Sequence, residues 1–124
     1  MNRAPGQPYR VLLIEDSRDD AELIAIALAD GGLQADCQRA WSADTLREAL
    51  RDAAPQLVLS DLNLPGFCAE EALQMVRAHD PRLPFVLLTG TPAIALPGPL
   101  PGTDGLLSKD DLQQLPDLVR QLLR

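Results

Sequence analysis

Aromatic side chains are scarce in this sequence: one Trp, one Tyr and two Phe make up 3 % of 124 residues. Any core must therefore come from Leu, Val, Ile and Ala. Apolar residues total 46 %, which places the chain among globular rather than disordered sequences. Cysteine is nearly absent as well. Cys37 and Cys68 have neither metal-ligand spacing nor a secretory context, and read as two reduced thiols in core or loop. Positive charge is in deficit, 11 Lys and Arg against 18 Asp and Glu, for a net charge of −7 and a pI near 4.5. That balance argues against binding a nucleic-acid backbone directly. No long hydrophobic run is present either. The longest uncharged stretch, residues 83–103, is too broken by proline to span a membrane, and "MNRAPGQPYR" lacks the apolar region of a signal peptide. The expected location is cytoplasmic, with no membrane partner. The sharpest scarcity is lysine: ten of the 11 basic residues are Arg, and Lys109 stands alone. Lysine supplies a compact point charge where arginine supplies a planar fork.

What is present alternates. No internal repeat is found, and the length fits one domain able to bury about two-thirds of its unfolded surface. Residues 1–9 read as a disordered tail, with the folded domain over 10–124. "RVLLI" (10–14), "QLVLS" (56–60) and "PFVLL" (84–88) are apolar runs of the kind that form strands buried on both faces. "LQADCQRA" (33–40) is a weaker strand, and "GLL" (105–107) a short fifth one. Between them lie helix signals. Ser17 with Asp20 resembles a capping box for a helix to about Ala29, closed by Gly31-Gly32; Ser42 caps a second helix that Pro55 closes. Ala69, Leu73 and Val76 mark a third helix, near whose end His79 reads as a solvated residue. Leu112 to Leu122 form a final amphipathic stretch with Pro116 in its first turn. Tyr9 and Trp41, flanking strands, read as packing. Strand–helix alternation of this kind implies an α/β fold, a doubly wound five-stranded parallel sheet of order 2-1-3-4-5.

In such sheets the site lies beyond the carboxyl ends of the strands, where strand order reverses. That rim receives Glu15 and Asp16 after strand one, Asp61 after strand three, Thr89 after strand four and Lys109 after strand five. Three carboxylates crowded together repel unless a cation holds them. An all-oxygen set suits Mg²⁺. A carboxylate beside Mg²⁺ can attack phosphorus, and phosphoryl transfer then needs mainly positioning and charge neutralisation, for which Lys109 and the Thr89 hydroxyl are suited.

"VLLIEDSRDD", "LVLSDLNLPGF", "FVLLTG" and "LLSKDDL" resemble the receiver domains of bacterial response regulators, in particular the sub-group with "SGT" after strand four and "KD.L" after strand five. The resemblance runs from about Arg10 to the end of the sequence. It implies a flavodoxin-like fold, Asp61 as phospho-acceptor, Asp16 as a direct Mg²⁺ ligand, Glu15 binding the metal directly or through water, and Asn63 offering its backbone carbonyl to the metal. It implies that Thr89 and the Gly90 amide bond a phosphoryl oxygen and that Lys109 pairs with its charge. A sensor histidine kinase would be the donor, and a downstream protein of unknown identity the receiver of the signal, with no output domain in the sequence. Two departures stand out. Leu106 occupies the place of the usual Tyr or Phe three residues before the lysine, and Asp110 follows Lys109 where proline is common. The first predicts that activation shifts the Gly90–Gly105 backbone rather than a buried ring.

"TPAIALPGPLPGTDG" (91–105) falls where receivers carry their fourth helix, yet it holds four prolines and three glycines. Each interior proline costs a helix roughly 3 kcal/mol. The expectation is a fourth helix missing or reduced to about one turn near Ala93–Leu96. Without charge over 91–103 the usual dimer of this face is not expected, and Ile94, Leu96 and Leu100 would either form an apolar strip for a partner or pack down over strand four. Two other classes fit parts of the pattern. One is a phosphorylation-independent interaction module that keeps the acids by descent. The other is a Mg²⁺-dependent hydrolase or nucleic-acid enzyme, which the pI and the lack of a basic groove or a general-base histidine in the motifs oppose.

Overall fold

The apolar runs build a sheet. In the computed structural model, which describes residues 7–62, 64, 66–90 and 101–123, the strands are β1 (Tyr9–Ile14), β2 (Ala35–Ala40), β3 (Leu57–Asp61), β4 (Phe85–Thr89) and β5 (Gly105–Ser108). They pair in parallel in the order β2-β1-β3-β4-β5, as the alternation predicts. Every residue of β3 and β4 is buried, which is why these strands read as unbroken apolar runs rather than as alternations. Edge strand β2 alternates between half-buried and exposed positions, and its sequence is correspondingly mixed.

The helices are α1 (Arg18–Asp30), α2 (Ala43–Ala53), α3 (Ala69–His79) and α4 (Leu115–Leu122), with a 3-10 segment over Lys109–Gln114. They sandwich the sheet and make two cores. Leu12 and Ile14 of β1 face α2 and α3, joining Leu46, Leu50, Ala72 and Val76. Val11 and Leu13 face the other way, onto Ile24 and Leu28 of α1 and Leu115 and Val119 of α4. The period-two exchange of β1 between the cores follows from the pleat. The two scarce Phe residues, Phe67 and Phe85, both lie in the first core, and the rest is aliphatic.

Local chemistry sets the helix ends. Ser42 and Thr45 form a reciprocal capping box at α2. Pro116 lies in the first turn of α4, where its missing N–H is not needed. Gly31 is required for space: a Cβ there would lie 2.2 Å from the Pro116 ring, so glycine lets α4 seat against the end of α1. At α1 the predicted capping box is only half built. The Asp20 N–H donates to Ser17 Oγ at 3.2 Å, but the Ser17 N–H goes to Glu15 Oε1 and the Asp20 carboxylate faces elsewhere.

Other expectations need adjustment. Tyr9 belongs to β1, its N–H bonded to Gln34 O at 2.9 Å, so ordered backbone begins before Arg10. Trp41 is 45 % exposed, capped on one face by Arg39, and is not a core residue. Tyr9 does pack, beside the α1–α4 core, and His79 is exposed at the end of α3 as predicted. The expectations for residues 91–100, including the reduced helix and the strip of Ile94, Leu96 and Leu100, lie outside the described residues, as does the proposed carbonyl of Asn63. Residues 101–104 form a turn whose stem is tied to α3: Arg77 Nη2 donates to Gly102 O at 2.7 Å and to Asp104 Oδ2 at 2.9 Å, and the Phe85 N–H donates to the same carboxylate oxygen.

Candidate functional site

Strand register brings the predicted residues together. Ile14 pairs with Ser60, Asp61 with Leu88 and Thr89 with Ser108. The residues one step beyond, or at, these strand ends therefore share one rim. Glu15 follows Ile14 and is 2 % exposed; Asp61 closes β3 at 8 %; Thr89 closes β4 fully buried; Lys109 follows Ser108. Asp16 and Gly90 are exposed on the same rim. One carboxylate oxygen from each of Glu15, Asp16 and Asp61 lies within 4.8 Å of the others, close enough to share one small cation.

Lys109 closes the cluster. Its Nζ donates hydrogen bonds to Glu15 Oε2 and Asp20 Oδ2, each at 2.8 Å, and forms an ion pair with Asp61 Oδ2 at 3.3 Å. Asp20 is the residue that sequence reasoning missed. Its spacing from Ser17 reads as a helix cap, and the second carboxylate of "DD" in "DSRDD" gives no local sign that it faces a lysine 89 residues away. The positions of Glu15, Asp16, Asp61, Thr89 and Lys109 follow the sequence reading; Leu106, in place of an aromatic, is half-buried against the α2–α3 core.

A second group supports the acidic loop. Arg39 Nη1 donates to Glu15 O at 3.1 Å and Asp16 O at 3.3 Å, and its guanidinium sits 4.5 Å from the centroid of the Trp41 ring. The strand β2 edge thus holds the β1–α1 loop by its backbone, with the indole limiting where the arginine can go.

The electrostatics are strained in the expected sense. Burial pushes the Glu15 carboxyl above its ordinary value, and the Asp61 charge adds to that; the Lys109 and Ser17 hydrogen bonds pull it back only in part. Burial by itself lowers the Lys109 pKa, but hydrogen bonds to Asp20 and Glu15 and the charges of Asp61 and Glu15 outweigh it, so the ammonium titrates above the usual lysine range. Because the folded state holds the Glu15 proton more tightly than the unfolded state, this group favours folding at low pH, and that contribution is lost as pH rises through its folded pKa. Glu15→Gln is therefore expected to raise the thermal midpoint of metal-free protein at pH 7.5 by a few degrees and to flatten its acid-side pH dependence. A melt series from pH 4 to 8 checks this; a lowered midpoint would mean that the Lys109 contact outweighs burial.

The fold defines a doubly wound, flavodoxin-like α/β domain with an acidic rim at its switch point. Residues 11–120 match the model of the response regulator receiver domain, and the chain belongs to that family. It is similar to the transcriptional regulatory protein TctD of Salmonella typhimurium, 35 % identical over 93 % of this chain and 52 % of the relative. To the transcriptional regulatory protein TcrX of Mycobacterium tuberculosis it is 31 % identical, over all of this chain and 53 % of that protein. The chain thus spans about half the length of these curated relatives. Among solved structures, the response regulator TrrA of Thermotoga maritima, in complex with Mg²⁺–BeF, superposes with a TM-score of 0.77 at 21 % identity, covering 93 % of this chain and 99 % of that one. This is a receiver domain of the response-regulator type, consistent with two-component signalling. No helix among the described residues is long and apolar enough to cross a membrane.

Proposed function

We propose that the domain, acting in the cytoplasm, accepts a phosphoryl group on Asp61 from the phosphohistidine of a sensor histidine kinase and passes the signal to a partner protein. One observation carries this reading: Asp61 shares an oxygen cluster with Glu15 and Asp16, while the Lys109 ammonium lies 3.3 Å from its carboxylate. The donor set, three carboxylates and no nitrogen or sulfur, fits Mg²⁺. Glu15, Asp16 and Asp61 would hold it, with the Asn63 carbonyl as a further ligand. When bound, Mg²⁺ supplies charge neutralisation for the phosphoryl oxygens.

The chain's own residues supply the rest. A carboxylate oxygen of Asp61 attacks phosphorus, the P–N bond to the donor imidazole breaks, and the imidazole leaves with the bond's electrons. The Thr89 hydroxyl and the Gly90 N–H donate to the phosphoryl oxygens, and Lys109 pairs with their charge. Hydrolysis reverses the state when water attacks phosphorus and the Asp61 carboxylate leaves. The net charge of −7 disfavours direct contact with nucleic acid by this chain and supports a protein as the next recipient.

Incubation with a small-molecule phosphodonor, with and without Mg²⁺, followed by intact mass and peptide mapping, tests the reading. One phosphoryl group on Asp61, dependent on Mg²⁺, is expected. No uptake under any condition would replace it with a phosphorylation-independent interaction module. The Arg39 brace gives a second check. Arg39→Met is expected to weaken Mg²⁺ affinity about tenfold, as loss of a group that orients ligands does, and to release the Trp41 ring. Titration of Trp41 fluorescence with Mg²⁺ measures it; unchanged affinity would leave Arg39 as a surface pair only.

A further inference from the structure

Lys109 divides itself unevenly. Its two short contacts, at 2.8 Å, go to Glu15 and Asp20, and its longest, at 3.3 Å, goes to Asp61. In the resting domain the ammonium is thus held chiefly by side chains other than the acceptor. We propose that Asp20 is a positioning residue, a latch that draws Lys109 toward α1 in the resting state and must release it when a phosphoryl group forms on Asp61. The proposal rests on the phospho-acceptor reading above and adds a residue to it.

Exposure decides which contact yields. The Glu15 side chain is 2 % exposed, and losing its ammonium would leave a carboxylate buried without its strongest partner. The Asp20 side chain is 40 % exposed, so water replaces the lysine at little cost. A phosphoryl group carries roughly two negative charges and three acceptor oxygens, more than Asp20 offers. The ammonium therefore moves from Asp20 to the phosphoryl group while keeping Glu15. Each bit of stabilisation that Asp20 gives the resting arrangement is lost on activation, so Asp20 biases the domain toward the unphosphorylated state. It touches no reacting atom and acts only through Lys109. Its position in the first turn of α1 gives it a separate, favourable interaction with the helix dipole, present in both states.

The test uses beryllofluoride with Mg²⁺ as the phosphoryl stand-in, measured by titration on the whole chain. Asp20→Asn is expected to tighten beryllofluoride binding about two- to fivefold, the weight of a partly exposed ion pair. The same substitution in a Lys109→Met background is expected to change binding less than in wild type, because the latch then has nothing to hold. A dipole or folding effect of Asp20 would persist in that background and would appear as a change in thermal midpoint without a change in affinity. Unchanged or weakened binding in Asp20→Asn, or an equal effect with Lys109 removed, overturns the latch. Failure of the phospho-acceptor reading is distinguishable, since wild-type protein would then bind no beryllofluoride at all. Asp20→Ser, which keeps the helix start, repeats the measurement should Asp20→Asn fold poorly.

Discussion

Asp61→Asn protein is expected to take up no phosphoryl group from a small-molecule donor under conditions that label the unsubstituted chain. The substitution keeps shape and volume at an 8 %-exposed position but removes the nucleophilic oxygen. It also removes one of three crowded negative charges, so the domain should remain folded and should not lose stability. Loss of labelling with retained folding separates chemistry from collapse. Asp16 provides the graded comparison. It is exposed and sits in the loop after β1, so Asp16→Asn should weaken Mg²⁺ binding and slow labelling without abolishing it. Mass spectrometry and a base-lability assay distinguish the outcomes: Asp61→Asn protein carrying one equivalent of acid-stable, base-labile phosphate would require another acceptor and would end the assignment.

Lys109→Met is expected to cost about 3 kcal/mol in metal-free protein at pH 7.5, the low end for a broken buried pair. The lower figure is chosen because one of its three partners, Asp20, reaches water. For a chain of this length that is a fall of about 10 °C in thermal midpoint. The cause is the set of carboxylates left behind. Glu15 is buried and its carboxyl is already pushed above the ordinary range; without the ammonium it should rise further. The folded state then binds a proton that the unfolded state releases, so the variant should gain stability as pH falls and lose it as pH rises through the Glu15 pKa. Mg²⁺ should restore much of the loss, since a cation binding only the folded form stabilises it by mass action. Melts with and without Mg²⁺ decide the matter. An equal deficit in both would assign the contribution of Lys109 to packing of its stem rather than to its charge.

The strands, their order and four of the helix positions were legible because they depend on local signals. Buried strands in a parallel sheet must be apolar throughout, and "RVLLI", "QLVLS" and "PFVLL" could hardly serve otherwise. Ser42 announces α2 as a helix cap, and Pro116 marks its own helix start. The rim was legible for a similar reason. Topology alone carries residues at the ends of β1, β3, β4 and β5 to one edge, so Glu15, Asp16, Asp61, Thr89 and Lys109 could be gathered without any knowledge of side-chain direction.

What the sequence determined by itself, then, was which residues stand at that edge, because strand ends are set by runs of neighbouring side chains. How those residues share their charges was decided only in three dimensions. Asp20 looked like half of a capping box, a local role that its spacing from Ser17 satisfied; in the fold a lysine 89 residues away competes for the same carboxylate and wins it. Trp41 reads as packing beside a strand, but β2 lies at the sheet edge, so what the ring packs against is Arg39 rather than an interior. Arg39 in turn reaches two backbone carbonyls of the β1–α1 loop, which no residue pattern encodes. Charge pairing depends on distance through space and on burial, and neither quantity is carried by the order of residues along the chain.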